Sequence, residues 1–329
     1  MGLNADPKKI EVSVIIPVYN EEKYIEKCIN SLIDQNYPRE KMEWIIIDGN
    51  SSDHTLEIIK QYINDYPIVL ANNPKRKTPI SLNIGIQKAN GRYIVRFDAH
   101  TSFPNSYIHD CVECLEETGA DNVGGYVVTK AEGYIGSAIA GMLSSRFGVG
   151  GSSFRVDQKS GYVDTVPFGT FKRTIFDKIG FFNEELLRSE DNDINARIIE
   201  SGGKVYLSEK IHSTYYCRDS VSSLLKMGLQ NGNALFRTIK WNPKAMKIRH
   251  FVPFLFVLSI IALLIGGLLF RPFHILLFAE MCLYLLIDLF YSFKRPNTKY
   301  GIITLWLYPL FHFSYGIGSL LGLVGINVY

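Results

Sequence analysis

Three acidic clusters carry most of the chemistry this chain can offer. Asp98 and His100 stand two apart in Phe97-Asp98-Ala99-His100, Asp48 closes an apolar run as Ile47-Asp48-Gly49-Asn50-Ser51-Ser52-Asp53, and Glu190 and Asp191 sit in Arg188-Ser189-Glu190-Asp191-Asn192-Asp193. Alternate residues of an extended chain point the same way, so Asp98 and His100 can present two metal-competent side chains to one ligand. Asp48 can accept a hydrogen bond from a nucleobase N–H. A departing diphosphate develops negative charge that a divalent cation neutralises, and a further carboxylate can take the proton of an attacking hydroxyl. Each position also has a plainer reading, as a capping Asp or as an acid answering a helix dipole.

The elements that must position these side chains alternate in type. Residues 12–16, 44–47, 68–70, 93–97 and 123–128 are runs dominated by apolar, β-branched or aromatic residues that read as buried strands. Between them lie helical faces: Ile25, Cys28, Ile29 and Leu32 on one, Leu56, Ile59 and Ile63 on the next, a Thr78-Pro79 helix start, and a helix over 104–118. This order predicts a doubly wound, Rossmann-like α/β sheet, and ligands of such sheets bind outside the carboxyl ends of the strands, where Asp48 and Asp98 fall. No Gly-x-Gly-x-x-Gly follows the first strand, which disfavours a dinucleotide oxidoreductase. Gly148-Val149-Gly150-Gly151-Ser152-Ser153 lacks the Lys of a P-loop and is expected as a mobile loop over the site. Cys111-Val112-Glu113-Cys114 has no second pair to complete a metal site and is expected on a helix surface; five cysteines fit a reducing compartment.

The remainder of the 329-residue chain is of another kind. A net charge of +3 gives no reason to invoke nucleic acid. Residues 251–270, 273–293 and 301–325 are apolar stretches of about the length that spans a bilayer. The first ten residues lack the apolar core of a leader peptide. Lys240, Lys244, Lys247 and Arg249 precede the first stretch and Lys294, Arg295 and Lys299 follow the second, whereas only Arg271 separates them. Positive-inside counting then places residues 1–250 in the cytoplasm of a multi-pass cell-membrane protein. Residues 219–250 form an amphipathic, basic segment suited to the interface. Ser314/Gly318/Gly322 and Ala262/Gly266 suggest close helix contacts, and Glu280 and Asp288 should point into the bundle, with His312 a candidate partner.

Taken in order, Val14-Ile15-Ile16-Pro17-Val18-Tyr19-Asn20-Glu21-Glu22, Asp48 to Asp53, Asp98-Ala99-His100 and Glu190-Asp191 resemble the successive motifs of glycosyltransferase family 2, over roughly residues 11–210 and nearest to membrane-bound exopolysaccharide enzymes of the succinoglycan type. The resemblance implies a GT-A catalytic domain over 1–218 and inverting transfer from a nucleotide sugar. It implies that Pro17, Tyr19, Glu21, Asp48 and Asn83 hold the nucleoside, that Asp98 and His100 stand at the metal, and that Asp191 is the base with Glu190 beside it. His100 departs from the family's second Asp; imidazole suits Mn²⁺ better than Mg²⁺. Asp48-Gly49 also departs from the two adjacent acids often found there. A membrane anchor favours a lipid-linked polyprenyl saccharide as acceptor, with other polysaccharide-assembly proteins as partners. Gln230, Arg237 and Trp241 lack the spacing of the processive Gln-x-x-Arg-Trp motif, which favours single additions. The competing readings are a transferase that uses polyprenyl phosphate itself as acceptor, a non-catalytic membrane scaffold, and a nucleotidyltransferase.

Overall fold

A computed structural model describes residues 9–217, 219–294 and 297–329, the last range without the side chain of residue 297. Most of the segment expected to lack a leader, and Arg295 of the expected cytoplasmic loop, lie outside the described residues. The chain divides into two units, one of Met1–Val128 with Gln158–Tyr215 and one of Thr129–Asp157 with Tyr216–Tyr329. Residues 129–157, expected within the N-terminal domain, thus belong with the C-terminal helices.

In the first unit β1 (Val12–Val18), β2 (Met42–Asp48), β3 (Ile68–Asn72) and β4 (Tyr93–Arg96) run parallel in the order β3-β2-β1-β4. β1 and β2 are buried almost throughout, as strands covered on both faces must be. The crossovers are α1 (Ile25–Ile33), α2 (Thr55–Lys60) and α3 (Thr78–Lys88). Inside this core Ser13 Oγ donates to Glu43 at 2.6 Å, and Glu43 also accepts from Asn90. Gly91 donates its N–H to Ser13 Oγ at 2.8 Å, and a Cβ there would lie 2.6 Å from the Ser13 nitrogen, so the approach requires glycine.

Past β4 the sheet becomes mixed. After β5 (Thr101–Ser102), α4 (Tyr107–Thr118), β6 (Asn122–Lys130) and β7 (Gly161–Tyr162), the strand β8 (Thr170–Lys172) inserts antiparallel beside β4, and β6 is antiparallel to β8. α8 (Thr174–Ile179) and α9 (Glu190–Glu200) lead to β9 (Val205–Tyr216), which pairs antiparallel with β5 and β7. β9 escapes sequence reading because Glu209 and Lys210 interrupt its apolar pattern. Cys111 and Cys114 lie on the buried face of α4, so the expected surface placement is corrected. Leu115, Ile108 and Tyr107 share that face and draw the cysteines inward.

The second unit contains α5 (Gly133–Leu143), the single turns α6 (Arg146–Val149) and α7 (Ser153–Val156), α10 (Val221–Trp241), α11 (Ile248–Leu269), α12 (Pro272–Phe293) and α13 (Gly301–Leu323). The glycine-rich stretch expected as a mobile loop is thus two helical turns joined at Gly150-Gly151, and any side chain at Gly148 would collide with the Met142 carbonyl. Among the described residues, two helices, α11 and α12, are long and apolar enough to cross a membrane. α13, the third expected span, has the length, but Tyr308, His312, Ser314, Tyr315 and its glycines dilute its apolarity. Its face is used on α10, where any side chain at Gly318 or Gly232 would strike the Leu229 or Tyr315 carbonyl. The Ser314/Gly318/Gly322 spacing therefore does mark close helix packing, and α10 is a packed helix along that face. Glu280 accepts from Ser259 and Asp288 from Ser292. His312 donates from Nε2 to the Phe147 carbonyl at 2.9 Å and accepts at Nδ1 from Tyr284. The expected partnership of these acids with His312 is thereby corrected: a nearby hydroxyl satisfies each.

Candidate active site

The parallel strands deliver their carboxyl ends side by side: Val18 is level with Asp48, Asp48 with Asn72, and Ile15 with Arg96. Three loops extend this edge. The 18–22 and 48–55 loops are stitched together by Ser51 Oγ accepting from the Asn20 N–H, Asn20 Oδ1 from the Ser52 N–H, Thr55 Oγ1 from the Glu21 N–H and Asp53 from the Glu22 N–H. Asp53 is thus a structural tie. Asp48 is 6% exposed and turned onto its own loop, accepting from the Ser51 N–H and, at 2.7 Å, from Ser51 Oγ.

Beyond β4 the alternation of the strand takes effect. Phe97 points into an aromatic cluster with Phe103 and Tyr107, which leaves Arg96 and Asp98 on the opposite face. Arg96 is 5% exposed and uses every nitrogen of its guanidinium. Nε donates to Asp98 Oδ1 at 3.1 Å and Nη2 to Asp98 Oδ2 at 3.4 Å. Nη1 donates to Asp191 Oδ1 at 2.5 Å, and Nη2 to Glu190 Oε1 at 3.3 Å. Glu190 and Asp191 form the first turn of α9, entered through Ser189 at φ +66°. Buried Asn195 fixes that helix, accepting from Asn122 and donating to Thr165 and to the Val166 carbonyl. Arg197 adds bonds to Asp193 and to the Ile179 and Phe181 carbonyls. Asp193 is therefore a structural partner of Arg197.

Three carboxylates thus surround one guanidinium. Burial pushes the Asp191 carboxyl up to about 7, Arg96 opposing the rise and Glu190 and Asp98 adding to it. Burial works against the charge of Arg96 as well, but the three acids outweigh it and hold the guanidinium ionised.

The other expected residues fall in separate places. His100 Nδ1 lies 3.1 Å from Glu21 Oε1. A carboxylate only accepts, so Nδ1 carries the hydrogen, the arrangement by which a carboxylate orients a metal-binding histidine. Glu21, expected at the nucleoside, is thus engaged with His100. Pro17 lies on β1, level with Ile47. Tyr19 is exposed beneath the Arg76 guanidinium, 5.1 Å from its ring centroid, and accepts from Arg76 at 3.2 Å. Asn83 holds the Phe182 N–H and carbonyl, both at 2.9 Å, and donates to Glu184. Its amide thus braces the segment leading to Glu190.

Asp98 and His100 could offer a cation one carboxylate and one imidazole, the first held on Arg96 and the second on Glu21. Among the described residues, the one trio of ligand-type side chains close enough to share an ion is His109, Asp110 and Glu113 on α4, away from these acids in the chain. A hard cation that takes one or two protein ligands and completes its shell with substrate phosphates is compatible with Asp98 and His100. Sequence reading missed Arg96 and Arg76. The signal for Arg96 was a lone charge inside an apolar strand two residues before Asp98.

Residues 13–180 match Glycosyl transferase family 2. The chain is 32% identical over 267 residues to a dolichyl N-acetyl-α-D-glucosaminyl phosphate 3-β-D-2,3-diacetamido-2,3-dideoxy-β-D-glucuronosyltransferase of Methanococcus voltae, covering 78% of this chain and 82% of that protein. It is 29% identical over 208 residues to the succinoglycan biosynthesis protein ExoA of Rhizobium meliloti, covering 62% of this chain and 63% of that one. Among solved structures it resembles the mannosyltransferase PcManGT of Pyrobaculum calidifontis in complex with GDP-Man and Mn²⁺, with a TM-score of 0.61 at 17% identity over 96% of this chain and 89% of that chain. Staphylococcus aureus TarS 1–349 in complex with UDP-GlcNAc gives 0.52 at 15% identity over 97% and 93%. The structural likenesses are likenesses of fold, the mixed α/β sheet with flanking helices of the GT-A class. The chain belongs to glycosyl transferase family 2.

Proposed function

We propose that the chain transfers a sugar from a nucleotide-sugar donor to a lipid-linked saccharide, with inversion and one addition per encounter, at the cytoplasmic face of a membrane. The gathering of Asp98, Glu190 and Asp191 on Arg96, outside the carboxyl end of a parallel strand, is the observation that carries this reading. In it, the 48–51 turn and the Tyr19–Arg76 pair hold the nucleoside end of the donor. Asp98, with His100 oriented by Glu21, holds a divalent cation, Mn²⁺ before Mg²⁺. When bound, that cation would supply charge neutralisation to the departing diphosphate. Asp191 receives the proton of the acceptor hydroxyl as its oxygen attacks the anomeric carbon from the face opposite the diphosphate. Single displacement from that face inverts the centre. A carboxyl raised towards neutrality is suited to a base working near pH 7.

The relatives support the acceptor class. The Methanococcus protein is named for a dolichyl-linked acceptor and a β-linked transfer. α11 and α12 supply the anchor, with Lys240, Lys244, Lys247 and Arg249 on the cytoplasmic side. We assign the catalytic domain to residues 1–218 less 129–157, the juxtamembrane segment to 219–250 and the membrane region to 251–329. The test incubates membranes containing the full chain with a panel of labelled nucleotide sugars, with and without chelator, and examines the lipid extract. Chelator-sensitive label in a lipid-linked product of inverted linkage is expected. Retained configuration, or label released only as free sugar, would end this reading.

A further inference from the structure

We propose that Arg96 is the positioning residue of this site, holding the donor-side carboxylate Asp98 and the acceptor-side carboxylate Asp191 in one rigid frame. The inference rests on the function proposed above and deepens it. Asp98 comes from the end of β4 and Asp191 from the first turn of α9, 93 residues further along the chain, and one planar group spans them. The pairing with Asp98 is fork on fork, 3.1 and 3.4 Å, while the remaining edge of the guanidinium takes Asp191 at 2.5 Å and Glu190 at 3.3 Å. Such two-pronged pairs fix orientation as well as distance.

The frame is itself immobilised. Arg96 is 5% exposed, its N–H bonds the Gly169 carbonyl at 3.2 Å, and the neighbouring Phe97 ring is packed against Phe103 and Tyr107 on the other face of the strand. α9 is fixed at the far side by Asn195 and Arg197. Stability alone does not explain this arrangement. A buried ion pair is at best a weak stabiliser, and apolar replacement is often neutral or better. Here one cation faces three carboxylates, so the charge is left unbalanced in favour of holding acids together. Lysine carries the same charge but no fork, and cannot hold three carboxylates at fixed angles. A displacement of about 1 Å at a reacting group reduces turnover about a hundredfold, and the guanidinium governs that distance for Asp191.

The test compares the full chain with Arg96→Lys and Arg96→Ala in membranes, at saturating acceptor. Arg96→Lys should lower kcat about a hundredfold while donor KM stays within about threefold and the melting temperature stays close to that of the parent. In Arg96→Ala, added guanidinium should restore turnover and methylammonium at equal concentration should not, because the lost element is the planar fork. Arg96→Lys with kcat within about threefold of the parent overturns the proposal. So does equal rescue by the two cations, which would reduce the residue to a charge, and so does failure of both variants to fold, which would make it a structural prop. A parent enzyme that transfers no sugar to lipid sinks the functional reading before any variant is compared.

Discussion

Replacing Asp191 by Asn tests the proposed chemistry with little change of shape. The amide oxygen can still accept from Arg96 Nη1, now 2.5 Å from Asp191 Oδ1, so the first turn of α9 should keep its place. What is lost is the ability to take a proton, and a positioned general base contributes about 10²- to 10⁴-fold. The expected result is a kcat lower by about a thousandfold, or about 4 kcal/mol of barrier, with donor KM within about threefold. Two pH measurements sharpen it. Because Asp191 is pushed up to about 7 by burial, kcat/KM of the parent should climb with unit slope to about that pH and then level, whereas the residual activity of Asp191→Asn should be flat; a cation bound at Asp98 moves the inflection downward. On stability, the folded chain keeps this proton from the ordinary carboxyl range up to about pH 7 while the unfolded chain has lost it. Stability therefore falls as pH rises through that window. Asn cannot ionise, so the variant should melt no lower than the parent at pH 8, and on the order of 1 kcal/mol in its favour is expected after allowing for a side chain that is 26% exposed. Near-normal kcat in a variant that folds would remove Asp191 from the role of base.

Three further outcomes are expected. Mn²⁺ added alone should bind weakly, in the millimolar range, and tighten at least tenfold with UDP or GDP present, since Asp98 is held on Arg96 and the chain supplies two ligand groups; equal calorimetric affinity with and without nucleotide would contradict this. Asn83→Ala removes three hydrogen bonds to Phe182 and Glu184 and should lower stability by about 2–3 kcal/mol with donor KM little changed; a collapse of donor binding at unchanged melting temperature would place Asn83 in the nucleoside pocket. Gly318→Leu should abolish accumulation of protease-resistant chain in membranes, because α10 approaches α13 at that position through the Leu229 carbonyl; normal accumulation would refute that packing.

How far sequence reading reached follows from what each feature depends on. β1, β2 and β4 were legible because strands buried on both faces must be continuously apolar, and a polar residue ending such a run marks its carboxyl edge. β8 and β9 were not, since a three-residue strand and a strand interrupted by Glu209-Lys210 draw their stability from neighbours and leave little local pattern. Asp98, Glu190 and Asp191 could be named from their types and places. That they meet on Arg96 could not, because side chains more than ninety residues apart are joined only by the register of β4 and the anchoring of α9. Asn83 shows another limit: the motif marks the residue, but not the bracing of Phe182 and Glu184 by its amide.

The charge of the cluster bears on how a donor can enter. Asp98, Glu190 and Asp191 face a single guanidinium, so this edge of the sheet is electronegative before any substrate arrives. A nucleoside diphosphate sugar brings further negative charge, and like charges brought together in a partly dehydrated cleft repel strongly. Arg96 cannot relieve that repulsion by turning towards the diphosphate without uncovering three acids. A cation bound with the diphosphate would relieve it, held at lone pairs of Asp98 that Arg96 leaves open while Arg96 keeps all three acids in place. This account explains why a buried arginine, otherwise a poor choice inside an apolar strand, stands two residues before the proposed metal ligand.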